Sequence, residues 1–234
     1  MLARHAPGLA PLPHLLDQAA PPLVAMELLP GRPLGARLDA RQLAALAGVH
    51  ATLHRITPAI TPLPLEPVVG RPPALLARAG AMLDPGGARR PDAGPLRRGA
   101  VRLWRRWSTG PDPGRLLAPA AAVFGRGDPN LANSLWDGTR VAIVDLEYAG
   151  WTDRAVDLAD LVEHAQARGT PDDDWASLVG RFELDPREHA RLLAARRLLA
   201  FFWLALSLRD GQDPPSTVDP SVQLQRVLTL LSEA

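Results

Sequence analysis

The 234-residue chain has no cysteine and no lysine. Without Cys it can form neither a disulfide framework nor a thiolate zinc site, and it has no cysteine nucleophile. On the order of ten Lys would be usual at this length; their absence fits a coding bias towards Arg, Ala, Pro and Gly. Neither sign of charge is in excess, since 26 Arg face 25 Asp and Glu for a net +1. That argues against a general nucleic-acid binder, which would be strongly basic. No apolar run reaches the ~18 residues that cross a bilayer. The longest, Leu198 to Leu208, has 11 residues and reads as a buried helix. Prolines follow Arg4 and His5 where a secretion signal would carry its apolar core. The expectation is a cytoplasmic protein with no membrane and no nucleic-acid partner. Asparagine is nearly missing too: its two copies, Asn130 and Asn133, share one short window.

With 47% apolar and 22% charged residues, the chain is long enough for one large domain or two small ones. Residues 23–29, closed by Pro30-Gly31, read as a short buried strand. Leu43, Leu46, Ala47, His50 and Leu53 recur at three- and four-residue steps, which predicts a helix from Asp39 to His54. The stretch from Ile56 to Gly99 holds nine of the 25 prolines and six of the 19 glycines. It reads as a variable connection with one short helix, Ala74 to Leu83. A further helix, about 96–107, places Trp104 and Trp107 on one side. Residues 134–136 and 140–145 read as strands around the turn pair Asp137-Gly138. Beyond them, Asp153, Thr170 and Asp185 are expected to start helices, with the Asp185-to-Glu188 spacing of a capping box. Asp219-Pro220 starts the last helix, with Leu224, Val227, Leu228 and Leu231 expected inward. The sum is a mainly α (α+β) chain with one early strand and one central β-hairpin.

Three polar residues in the middle carry the chemistry: Asp128, Asn133 five residues on, and Asp145 twelve further. Phosphoryl transfer needs a carboxylate to orient the attacking hydroxyl, and an amide oxygen and second carboxylate to hold Mg²⁺ against the phosphates. Oxygen donors suit that ion. The hairpin would bring Asp145 back beside Asn133, aimed by the apolar strand Val141–Val144, and such rigid support favours catalytic positioning. The Asp-x-x-x-x-Asn spacing alone recurs by chance. A turn at Asp128, a cap at Asn133 and a strand end at Asp145 would account for the residues without any chemistry.

The run Arg126-Gly-Asp-Pro-Asn-Leu-Ala-Asn133 resembles the catalytic loop of the aminoglycoside phosphotransferase and choline kinase-like family, usually His-Gly-Asp-x-His-x-x-Asn. Residues 143–159 are similar to that family's metal-binding segment and the helix start after it. Val24 to Gly31 resembles its hinge strand, and Leu43 to His54 its next helix. The resemblance covers nearly the whole chain. It implies a protein kinase-like fold, with residues 1–31 a remnant of the first lobe and hinge and residues 32–234 the helical C-terminal lobe of a single phosphotransferase-type domain. It implies Asp128 as the catalytic base, Asn133 and Asp145 as metal ligands, and backbone groups near Leu28 and Leu29 as the adenine contact. Arg126 and Asp157 would support the catalytic loop. The implied cofactor is Mg²⁺ with ATP (or GTP), and the partner a small-molecule substrate.

The chain departs from the family pattern in three ways. About 22 residues precede the hinge-like strand, too few for a first-lobe sheet of ordinary strands. There is no Gly-x-Gly-x-x-Gly and no Lys to pair with phosphate. The family's two loop histidines are Arg126 and Asn130. What is present resembles the second lobe alone. The alternative reading is therefore a non-catalytic, pseudokinase-like binding module without a nucleotide-gripping lobe. Among remaining signals, Arg126-Gly127-Asp128 spells an adhesion tripeptide with no secretion signal to support it. His50 and His54 have a metal-compatible spacing but are better read as packing residues. Asp172-Asp173-Asp174 is accounted for by the helix dipole, with a cationic-substrate role the weaker reading.

Overall fold

A computed structural model describes residues 1–17, 23–61, 71–84, 94–208 and 219–233. In chain order, α1 (Leu2–His5), β1 (Pro13–Asp17), β2 (Leu23–Met26) and β3 (Arg32–Pro33) precede α2 (Ala40–His54). Helices α3 (Pro72–Leu83), α4 (Pro95–Ser108) and α5 (Asp112–Leu117) follow. Next come β4 (Val123–Gly125), β5 (Ser134–Trp136), β6 (Val141–Ile143) and β7 (Gly150–Thr152). Helices α6 (Arg154–Glu163), α7 (Asp172–Val179), α8 (Pro186–Ser207) and α9 (Pro220–Ser232) complete the described elements. The chain is thus α+β and mainly helical, with three small antiparallel sheets among the described residues. No described helix is long and apolar enough to cross a membrane. Two compact units interleave along the sequence.

The first unit holds Met1–Val68, Ala122–Thr152 and Gln166–Glu183. Its central helix is α2, started by a capping box: Asp39 accepts from the Gln42 backbone and Gln42 returns a bond to the Asp39 N–H. The predicted stripe is buried as expected, with Leu46 and Leu53 fully so. His50 and His54 are buried with it; their rings meet edge-on at 6.0 Å, and His54 packs at 5.6 Å from Phe182. Around α2 lie a three-stranded sheet in the order β3-β5-β6 and the pair β4-β7. The predicted hairpin is β5 with β6, paired Ser134 to Ile143 and Trp136 to Val141. The strand β4 and its partner β7 were not legible as strands. Three residues each are too few to show an alternating pattern.

Two expectations for this unit are corrected. The strand in residues 23–29 is only four residues long and is not buried: Leu23, Val24 and Met26 are 56, 48 and 54% exposed. An apolar run states that a strand suits burial, not what covers it, and β2 pairs with β1 alone. Thr170 does not cap α7. Its hydroxyl donates to the Ala36 carbonyl at 3.0 Å and accepts from Leu38 N–H at 2.9 Å, fastening the loop after β3, while α7 has Pro171 at its N-cap and no side-chain cap. The three carboxylates Asp172 to Asp174 occupy the first turn of α7, where the helix dipole favours them.

The second unit holds Val69–Ala121, Asp153–Ala165 and Leu184–Ala234. It is organised on the 22-residue α8, started by the expected capping box of Asp185 and Glu188. Helices α3, α5, α6 and α9 pack on it. Phe201 is fully buried between Trp104 and Trp107, with ring centroids 5.4 and 5.3 Å away. Proline at its first positions starts α3 two residues earlier than predicted. The buried face of α9 is Gln223, Val227 and Leu230, so Leu228, expected inward, is 41% exposed. The Gln223 amide donates to the Ala200 carbonyl at 2.9 Å, which satisfies a polar group the pattern had assigned outward.

Arginine forks replace part of an apolar core here. Glu163, fully buried, accepts from Arg196 at 2.9 Å and from Arg226 at 2.7 and 3.0 Å. Arg197 donates to Asp112 and to the carbonyls of Leu230 and Glu233, closing the C-terminal turn of α9. Burial alone would raise the Asp112 carboxyl. The bonds from Arg197, Trp107 and Arg115 together outweigh it and hold the carboxyl below its ordinary value. Glu163→Gln removes the counter-charge that Arg196 and Arg226 share and should cost about 3–5 kcal/mol in urea unfolding. A loss below about 1 kcal/mol would mean that the cluster acts like a solvent-screened surface pair.

Candidate active site

The site is built by one short stretch that leaves the sheet and by a hairpin that returns to it. β4 is buried throughout and delivers Arg126 into the interior of the first unit. The Arg126 guanidinium donates to Ser134 Oγ at 2.8 Å and to the Asn133 carbonyl at 3.2 Å. It is turned to the far end of the loop. Between those anchors the chain makes two tight local turns: Asp128 Oδ1 accepts from Asn130 N–H at 3.2 Å, and Asn130 Oδ1 accepts from Ala132 N–H at 3.0 Å. Residues Leu131–Asn133 then form a 3₁₀ turn. Asp and Asn favour such self-bonded turns.

The hairpin returns on the other side of Asn133. The Asn133 carbonyl also accepts from Val144 N–H at 3.0 Å, so the residue before Asp145 is fixed to the residue that Arg126 holds. Asp145 itself has φ +58°, a left-handed conformation uncommon for a residue with a side chain. Strain of this kind persists where surrounding contacts over-determine it, and it clusters at functional sites. Here it accompanies a direct contact: Asn133 Nδ2 donates to Asp145 Oδ2 at 3.3 Å. The hairpin tip is set by Asp137, whose Oδ1 accepts from Thr139 N–H, Thr139 Oγ and Arg140 N–H, each at 2.8 Å. Those donors, led by the Arg140 and Thr139 backbone, lower the Asp137 carboxyl to about 2.

A second contact closes the site. Gly127 has φ +72°, and a Cβ added there would lie 2.0 Å from the Tyr148 carbonyl oxygen. The loop carrying Asp128 and the segment after Asp145 therefore touch backbone to backbone. Tyr148, 44% exposed, reports the local field: its phenol is pushed up first by the Glu147 charge, then by a bond to Glu147 and by burial, with Asp128 and Asp145 adding smaller effects. Three carboxylates thus act on one surface neighbourhood. Glu147, Tyr148 and Gly127 were not singled out in the sequence, although all lie inside the two motifs. The signal available was their adjacency to Asp128 and Asp145.

Leu28 is 95% exposed. Leu29 lines a cavity of about 500 Å³ in the first unit, with Leu135 and Ala142 of the hairpin and Thr52 and Arg55 of α2. Asp128, Asn133 and Asp145 do not line it; the hairpin connects the two places. Asp157 belongs to the second unit, buried in the first turn of α6, where its N–H donates to the Asp153 carbonyl.

Two measurements test this geometry. Gly127→Ala should cost about 1–3 kcal/mol, because a side chain at positive φ must also displace the Tyr148 backbone; unchanged stability would show that the two segments are not in contact. For Asp137 the folded carboxyl lies below the ordinary value of 3.8, so its bonds stabilise fully above that pH and are lost as pH falls towards about 2. A carboxyl titration followed by NMR should therefore give a midpoint near 2 for Asp137. An ordinary midpoint would mean that the turn does not hold the carboxylate.

The model of the phosphotransferase enzyme family matches residues 1–202. No curated protein sequence matches the chain. Among solved structures, a choline/ethanolamine kinase family protein from Mesorhizobium loti is 19% identical, with a TM-score of 0.66 over 96% of this chain and 75% of that one. An aminoglycoside phosphotransferase from Alicyclobacillus acidocaldarius is 17% identical, also with a TM-score of 0.66, over 93% of this chain and 72% of that one. The GDP complex of aminoglycoside 2'-phosphotransferase-IIIa is 17% identical, with a TM-score of 0.60 over 98% and 78%. The fold is protein kinase-like, and with 202 residues matched the chain belongs to the phosphotransferase enzyme family.

Proposed function

We propose that the chain transfers the γ-phosphoryl group of ATP or GTP to a hydroxyl of a small molecule, with Asp128 as the base. The observation that carries this reading is the contact of Asn133 Nδ2 with Asp145 Oδ2 at 3.3 Å, on the loop that also carries Asp128. In the proposed step the acceptor oxygen bonds to the γ-phosphorus, the bond from that phosphorus to the β–γ bridging oxygen breaks, and Asp128 receives the hydroxyl proton. Arg126 acts by holding the loop rather than by touching substrate.

The donor set fits magnesium. Asn133 spends its amide nitrogen on Asp145, which leaves its oxygen to act beside a carboxylate, and Mg²⁺ favours few protein oxygens together with phosphate. When bound, the ion would neutralise charge on the phosphate oxygens. We assign the nucleotide base to the cavity, against Leu29 and over Leu135 and Ala142, with Leu28 next to it in the chain but outside the lining. A relative solved with GDP supports a purine nucleotide. A nucleoside triphosphate donor also supports a cytoplasmic site of action.

A second reading, a nucleotide-independent binding module, is favoured by the absence of any Lys and of a glycine-rich phosphate loop. One set of measurements separates the two. The chain should melt at a higher temperature with Mg-ATP than with ATP and chelator, and Asp145→Ala should remove that shift. Phosphoryl transfer to water or to a panel of amino alcohols and sugars should fall about 10²–10⁴-fold in Asp128→Asn, with the Mg-ATP shift retained. No shift in the wild type supports the binding module, and full activity in Asp128→Asn overturns the role of that residue.

A further inference from the structure

The charge of this nearly neutral chain is unevenly spread. Residues 71–108 carry nine Arg against two Asp, a net +7, while the remaining residues carry 17 Arg against 23 acids, a net −6. Between Asp92 and Asp112 there is no carboxylate at all. The excess is ordered on α4. Arg98, Arg102, Arg105 and Arg106 are all exposed, at steps of four, three and one residues, which places them on one face. From Arg98 to Arg106 the stripe runs about 12 Å along the helix. The opposite face is occupied: Ala100, Trp104 and Trp107 are buried in the second unit. Arg97 is of a different kind, its guanidinium spent on the carbonyls of Met82 and Leu208.

Such a stripe is unfavourable for the helix that bears it. The i, i+4 pairs Arg98–Arg102 and Arg102–Arg106 repel, and the first turn has no acidic residue to favour the positive end of the dipole. Asp84 holds Arg105 in a fork at 2.6 and 2.8 Å, while Arg102 and Arg106 stand exposed on the same face. A solvent-facing helix without function would intersperse both signs.

We propose that this face of α4 docks on an anionic lipid surface, with guanidiniums meeting headgroup phosphates. Lipid is favoured over nucleic acid because the exposed positions of the stripe offer only charge. The two tryptophans of α4 are buried, so nothing is presented to stack on a base, and no amide is there to read one. Because the apolar face is turned inward, adsorption is peripheral and electrostatic, with no insertion. The proposal is independent of the phosphotransferase reading.

The test uses the full chain with vesicles of phosphatidylcholine, with and without phosphatidylglycerol, in co-sedimentation at low ionic strength. Binding is expected only with phosphatidylglycerol, and it should vanish near 1 M salt, where the Debye length is about 3 Å. Each Arg→Gln change should weaken partitioning about fivefold, and Arg98→Gln, Arg102→Gln and Arg106→Gln together on the order of a hundredfold. The matching Arg→Lys triple variant keeps the charge and should bind like the wild type, which separates loss of charge from loss of fold. Absence of binding, equal binding to neutral vesicles, or a Gln triple variant that binds like the wild type would overturn the proposal. Tighter binding to an oligonucleotide than to anionic vesicles would overturn it in favour of a nucleic-acid partner.

Discussion

Arg126 is wholly buried, and an ion of that kind taken out of water costs several kcal/mol unless its protons are matched. Ser134 and the Asn133 carbonyl accept two of those protons from the far end of the same loop, so closing the loop offsets part of the cost of burying the charge. The Asn133 carbonyl is shared with Val144 N–H, which fixes the hairpin to the same point. One guanidinium thereby determines where both the loop bearing Asp128 and the strand leading to Asp145 must run. The backbone contact of Gly127 with Tyr148 and the bond from Asn133 Nδ2 to Asp145 Oδ2 tie the same two arms together beyond it.

The same device recurs in the second unit, at Glu163 and Asp112, each a buried carboxylate met by arginine forks. In a chain without lysine every internal cation is planar and multiply donating. It can satisfy a carboxylate and a helix-end carbonyl together, as Arg197 does with Asp112 and the last turn of α9. Such clusters are weak evidence for net stability. What they supply is a requirement of register: an arginine one residue out of place would leave a buried carboxylate unmatched.

How much of this could be read from sequence depended on whether the cause was local. Asp39 with Gln42 and Asp185 with Glu188 are self-contained capping signals, and the helices begin where those residues stand. The hairpin was legible because Asp137-Gly138 encodes its own turn. Thr170 was misassigned because its hydroxyl serves a loop 134 residues away, and no local pattern carries that. The strand at Leu23–Met26 has an apolar composition, but its exposure depends on what pairs beside it. Within the site, the Asp128, Asn133 and Asp145 spacing was visible. The left-handed turn at Asp145 and the backbone contact of Gly127 with Tyr148 are products of the folded hairpin.

The hairpin also explains why the cavity and the carboxylates can belong to one function while lying at different places. Side chains alternate along β5 and β6. Ser134 points inward to Arg126, while the next residue, Leu135, lines the cavity beside its cross-strand partner Ala142. Asn133 and Asp145 sit at the open end of the same two strands. A ligand resting on Leu135 and Ala142 would reach the carboxylates along the strand direction, at about 3.3 Å per residue. Leu135 stands two positions from Asn133 and Ala142 three from Asp145, so the cavity lining and the carboxylate end of the hairpin are one short strand length apart.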